Sequence, residues 1–190
     1  MSQAAASVNT GSTASVPNRH ITIAGWRYQG IGVLRIAFGI VWAIDASFKW
    51  APDFIIGFSG TLTGALDGQP AWIQAWIKLW SNIVSVDPHV FAHMVAVGET
   101  ALAAALILGA FSNLSYIGGT LLALVIWTTA EGFGDIFKKE SMDVGAAIIY
   151  VIVFAGLYLS QAGLALGLDK WLTPLLGRWG WLASGPVERA

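Results

Sequence analysis

Three ionisable residues, Arg35, Asp45 and Lys49, sit inside the otherwise apolar run Gly30 to Trp50, GIGVLRIAFGIVWAIDASFKW. Acids and bases held away from water either exchange protons or fix one another as counter-charges, because an isolated charge there is costly. On a helix turning about 100° per residue, Lys49 falls about 40° from Arg35 and Asp45 about 80° from it. Trp42 and Ala46 share that sector, so the charges form one stripe. The run has the roughly 20 residues that a bilayer crossing needs. Charges on such a helix face a bundle interior or a wet cavity. The stripe therefore predicts partner helices with ionisable groups of their own. Glu99 lies on a second apolar run, and Glu131, Asp135, Lys138, Lys139 and Asp143 follow a third.

The rest of the chain must position these groups. With 190 residues and only 11% charged, and a mean hydropathy of +0.66, it reads as one polytopic helical membrane domain. A net charge of −1 without a basic run excludes nucleic acid as a partner. The absence of cysteine excludes disulfides, thiolate metal sites, iron–sulfur clusters and a persulfide-carrying nucleophile. Nor is there a recognisable phosphate loop, nucleophile elbow or haem arrangement. Residues 1–28 read as a disordered, pre-membrane tail without a signal-peptide core. Pro52 ends the first span, and Asp53 to Gln69 reads as a loop. AWIQAWIKLWSNIV places Trp72, Trp76 and Trp80 four apart on an amphipathic helix too short to span, with Pro70 suited to its first position.

Asp87-Pro88 signals a helix start. The second span then runs from about His89 to Ala110, with Ala92, Val95, Ala96, Ala103 and Leu106 on the same side as Glu99. A Ser112-Asn113 turn leads to a third span, Leu114 to Ala130. A polar loop precedes the fourth, Val144 to about Leu159, whose start Asp143 can cap. Tyr150, Phe154 and Tyr158 form a stripe on it, with Asp143 about 20° from Tyr150. Residues 161–190 read as an interfacial segment. The expected fold is thus an all-α bundle of four transmembrane helices spanning residues 29–160. Arg19, Arg27, Lys170, Arg178 and Arg189 outweigh Lys78, Lys138, Lys139 and the boundary Lys49, which places both termini in the cytoplasm. Asp45, Lys49, His89, His93, Glu131, Asp135 and Asp143 then gather at the outer mouth, with Glu99 and Arg35 deeper.

Each of these groups has a plainer use. Arg35 pairs with Glu99 as structural glue, or it serves a substrate. Lys49 snorkels to the interface, and the loop charges are simply solvated. His89 and His93 share a helix face but lack any metal-site context, so no bound metal or haem is expected. The tyrosine stripe is helix packing or a platform for a ring.

Leu34, Arg35 and Gly39 in the spacing L-R-x-x-x-G, followed by Lys49, resemble the opening of DoxX-type membrane proteins. So does Gly98-Glu99 followed by Leu108-Gly109. E-G-F-G (Glu131 to Gly134) followed by D-V-G-A-A-I-I-Y (Asp143 to Tyr150) resembles the DoxD branch, a subunit of thiosulfate:quinone oxidoreductase. The resemblance covers roughly residues 30 to 160. It departs from the family at Ser112-Asn113, where many members carry a basic residue, and in the more charged loop from Ile136 to Glu140. It implies a prokaryotic cytoplasmic-membrane protein that oxidises thiosulfate to tetrathionate at the outer face and passes electrons to a membrane quinone. A DoxA-like second subunit or a larger complex is the implied partner. On that reading Arg35, Asp45, Lys49 and Lys138 serve the substrate, and Glu99, Glu131 and Asp143 handle protons. Trp42, Trp127, Tyr150 and Phe154 surround the quinone. A non-catalytic membrane subunit and a small transporter or ion pathway are the alternatives.

Overall fold

A computed structural model describes residues 25–139 and 141–185. The expectations for residues 1–24 of the N-terminal tail, and for Arg19, Glu140 and Arg189, fall outside the described residues, whereas residues 25–28, expected in that tail, form the first turn of a helix. Every regular element within them is helical. The first, α1 (Gly25–Lys49), carries the charged stripe. Then come α2 (Pro52–Gly64), α3 (Ala71–Val84) and α4 (Pro88–Leu108). The chain continues through α5 (Ser112–Thr128), a 3-10 turn (Gly132–Asp135) and α6 (Ala146–Leu159). It ends in α7 (Asp169–Leu175) and a second 3-10 turn (Gly177–Leu182). Two helices, α1 and α4, are long and apolar enough to cross a membrane, whereas α5 and α6 are shorter apolar helices.

The segment after Pro52 departs from the expected loop. Pro52 occupies the first turn of α2 instead of closing off structure, a position where its missing N–H is harmless. Three glycines and Ser/Thr residues in FIIGFSGTLTG hide a helix whose Leu62 is buried. α3 matches its expected span, with Pro70 just before it, and buries Ile73 and Ile77 while Trp72 and Trp76 face outward. Asp87 caps α4, its carboxylate accepting the Val90 N–H at 3.1 Å. The turn between α4 and α5 lies at Gly109–Phe111, not at Ser112-Asn113, both of which belong to the first turn of α5.

α1 packs along α4, and α5 along α6. The two pairs meet through rings: Phe38 and Trp42 from α1 lie 5.0 and 5.6 Å from Phe154, and 5.5 and 5.6 Å from Tyr150. Ring pairs at these separations add about 0.5–1.5 kcal/mol each beyond their buried area. Phe154 fits because Gly119 on α5 has no side chain. A Cβ there would stand 2.3 Å from its ring. Gly119→Ala is therefore expected to lower stability by about 1–3 kcal/mol through overpacking, read as a lower thermal midpoint in detergent. Phe154→Leu in the same chain should restore part of it, and an unchanged midpoint for Gly119→Ala would show that the ring moves freely.

The C-terminal segment folds back onto the far end of this bundle. Leu168 and Asp169 donate their N–H groups to the carbonyls of Leu108 and Gly109. Gly32 lets the backbone of Ala165 come close to α1, where a Cβ would meet its carbonyl at 2.6 Å.

Candidate functional site

The antiparallel course of α1 and α4 sorts the ionisable groups to two ends. At one end, Lys49 lies 2.9 Å from Asp45 Oδ2 on the next turn of its own helix and 3.6 Å from Glu99 Oε2 across the interface. The Phe54 ring lies 5.5 Å from the ammonium. Glu99 is fully buried, and neither of its oxygens has a hydrogen-bond partner among the described residues. Trp50 donates to the Thr100 hydroxyl at 3.0 Å just above. Lys49 is thus not an outward-reaching lysine. It is the single cation between two carboxylates.

Arg35 stands apart from that group. Fourteen residues earlier on α1, it lies roughly 21 Å away along the axis. The expected Arg35–Glu99 pair does not form, because each faces a different end. Arg35 is fully buried and donates to the carbonyls of Ala165 and Leu166 at 3.2 and 3.1 Å. Tyr116 and Asp169 stand within electrostatic range of it. Asp169, buried in the C-terminal segment, accepts the N–H groups of Ser112 at 3.1 Å and Ser184 at 2.8 Å. The sequence held one clue to this second cluster: a lone acid in the apolar tail LALGLDKWL.

The link between α5 and α6 shapes an open cleft of about 510 Å³ lined by Glu131, Asp135, Lys138, Ser141, Met142 and Asp143 together with Gly134, Gly145 and Ala146. Phe133, Gly134 and Asp135 take left-handed backbone angles, which turns the chain sharply and brings Glu131 over the start of α6. There Glu131 accepts the Ala147 N–H at 3.1 and 3.3 Å. Asp143, expected to cap this helix, instead binds the N–H groups of Val144 and Gly145 in the preceding loop. The cap comes from the other side of the cleft. Lys138 pairs with Asp135 at 2.9 Å, and Gln69, from the connection just before α3, ties Asp135 and the Gly132 carbonyl together.

Burial pushes the Glu131 carboxyl up from its ordinary range. Asp143 adds to the rise, and the backbone N–H groups of Ala147 and Ala146 oppose it. A raised folded-state value means that the native state holds the proton more tightly than the unfolded chain does. That contribution to stability is complete below the ordinary carboxyl range and is lost as pH rises through the raised value. Glu131→Gln should flatten the fall in thermal midpoint across that window. An unaltered pH profile in the variant would assign the fall to another group.

The four aromatic candidates divide. Trp42 and Phe154 are buried within the packed ring cluster, and Tyr150 borders it with part of its surface open. The Tyr150 phenol lies within electrostatic reach of Asp45, Lys49, Glu99 and Glu131. Trp127 belongs elsewhere. It donates to the Val144 carbonyl at 2.8 Å and packs on Phe133, which with Phe137 meets Trp72 of α3. His89 and His93 share a helix face, but the His93 ring contacts the His89 carbonyl at 2.7 Å. Among the described residues no group of histidines and carboxylates is arranged to hold a metal ion. Compared with protein families, with curated proteins and with solved structures, the chain matches none.

Proposed function

We propose that this chain is a four-span protein of a prokaryotic cytoplasmic membrane and the quinone-facing subunit of an oxidoreductase, with thiosulfate as electron donor. One observation supports this most: Lys49 is held between Asp45 and the buried Glu99, with the Tyr150 phenol in electrostatic reach of all three and of Glu131. Quinone reduction takes up two electrons and two protons. A carboxylate–lysine–phenol group at the edge of an apolar bundle can deliver protons to a ring held against Tyr150. In the full reaction, two thiosulfate dianions join through a new S–S bond to give tetrathionate, releasing two electrons. These electrons and two protons convert quinone to quinol. The chain contains no cysteine, so none of its own side chains carries a persulfide in this reaction. The resemblance of Glu131–Gly134 and Asp143–Tyr150 to the DoxD branch supplies the substrate, and a DoxA-like partner belongs to the same reading.

A non-catalytic membrane subunit is the second reading. It is favoured by the neutralisation of both Lys49 and Lys138 by carboxylates, which leaves little cationic attraction for a dianion. Purified protein in detergent, given thiosulfate and a short-chain quinone, separates the two. Quinone reduction that falls at least tenfold in Tyr150→Phe and Glu131→Gln supports the redox reading. Absence of reduction, with stoichiometric recovery in a larger assembly, establishes the second.

A further inference from the structure

We propose that the end of the bundle built from the start of α1 and the C-terminal segment is a binding surface for anionic phospholipid headgroups. The inference rests on the membrane reading above, not on the redox one. Three tryptophans at this end each carry a cation over the ring. Arg27 lies 5.2 Å from the Trp26 centroid, Lys170 4.0 Å from Trp171 and Arg178 5.3 Å from Trp179. These rings are 72%, 59% and 50% exposed, and Leu175 beside them is 81% exposed. Indole favours the headgroup region, where its apolar body and polar N–H are both accommodated. A cation held against the ring is thereby kept at the depth of lipid phosphates.

Charge at the two ends is unequal. Among the described residues, Asp169 is the carboxylate at this end, and it is fully buried with its oxygen accepting two backbone N–H groups. Asp45, Asp53, Asp67, Asp87, Glu99, Glu131, Asp135 and Asp143 all belong to the opposite half, on the last turns of α1, along α2 to α4 and around the cleft. Among the described residues, the exposed cations Arg27, Lys170 and Arg178 therefore have no acidic neighbour to compete for them.

The platform is also fixed. Arg35 grips the carbonyls of Ala165 and Leu166 from beneath. Asn113 holds the carbonyls of Trp181 and Ala183 at 3.1 and 2.9 Å, and the Thr173 hydroxyl bridges to Ser184 at 3.0 Å. The segment presents its rings and cations as a preformed face, so binding a headgroup orders little chain.

Native mass spectrometry of the full chain, equilibrated in detergent with equal phosphatidylglycerol and phosphatidylcholine, tests this. Phosphatidylglycerol should be retained preferentially. Lys170→Gln with Arg178→Gln should reduce that preference fivefold or more, given about fivefold per cation near a lipid surface. The control pair Lys78→Gln with Lys139→Gln, at the opposite end, should leave it intact. All four side chains are exposed, so matching thermal midpoints confirm that each variant folds. Equal retention of the two lipids, or an equal effect of the two pairs, overturns the proposal. Recovery of the chain in the soluble fraction without detergent overturns it together with the membrane reading.

Discussion

Lys49→Ala is expected to destabilise the protein by about 3–5 kcal/mol, the range for removing one partner from a buried ion pair. The size follows from Glu99. It is fully buried, makes no hydrogen bond within the described residues, and has Lys49 as its neighbouring cation. Asp45 is 44% exposed and can turn to water once the lysine is gone. Glu99 cannot. A second change, Glu99→Gln in the Lys49→Ala background, removes the stranded charge and should restore more than half of the loss. Asp45→Ala alone should cost under about 1 kcal/mol, as an exposed pair within one helix does. Thermal unfolding of the three variants in one detergent gives the comparison. A single Lys49→Ala change that leaves the midpoint unmoved would show that Glu99 does not depend on this lysine.

Asp169→Ala is the second large effect, about 3 kcal/mol or more. Its Oδ2 atom accepts the N–H groups of Ser112 and Ser184, and a hydrogen bond to a charged group contributes about 1.5–3 kcal/mol. Removing the carboxylate strands both donors at a buried junction and releases the C-terminal segment from α5. Asp169→Asn keeps an oxygen in the same place and should cost far less. Limited proteolysis distinguishes the two: cleavage between residues 161 and 185 should quicken in the alanine variant and stay near wild type in the asparagine one. Equal protection of both would show that Arg35 and Asn113 suffice to hold the segment.

Much of the helical frame was legible because its signals are local. The Asp87-Pro88 cap, the four-residue tryptophan repeat of α3 and the length of α1 each declare an element without reference to the rest of the chain. α2 was not legible, since Gly57, Gly60 and Gly64 imitate loop composition and its helix is upheld by packing on α3 and α4. The pairing of Lys49 with Asp45 follows from their spacing of four. Arg35 could be placed on the correct face, but its partners are backbone carbonyls 130 residues away, and a carbonyl leaves no mark in a sequence. The exchange of roles between Glu131 and Asp143 has a similar origin. It depends on left-handed backbone at Phe133, Gly134 and Asp135, and two of these residue types do not announce that conformation.

The bond from Glu131 to Ala147 joins the end of one apolar helix to the beginning of the next. The Ala147 N–H in the first turn of α6 has its acceptor only where the bend after α5 sets Glu131 over it. Loss of that bend therefore loosens the end of α5 and the start of α6 together, so the two helices hold or fray as one unit.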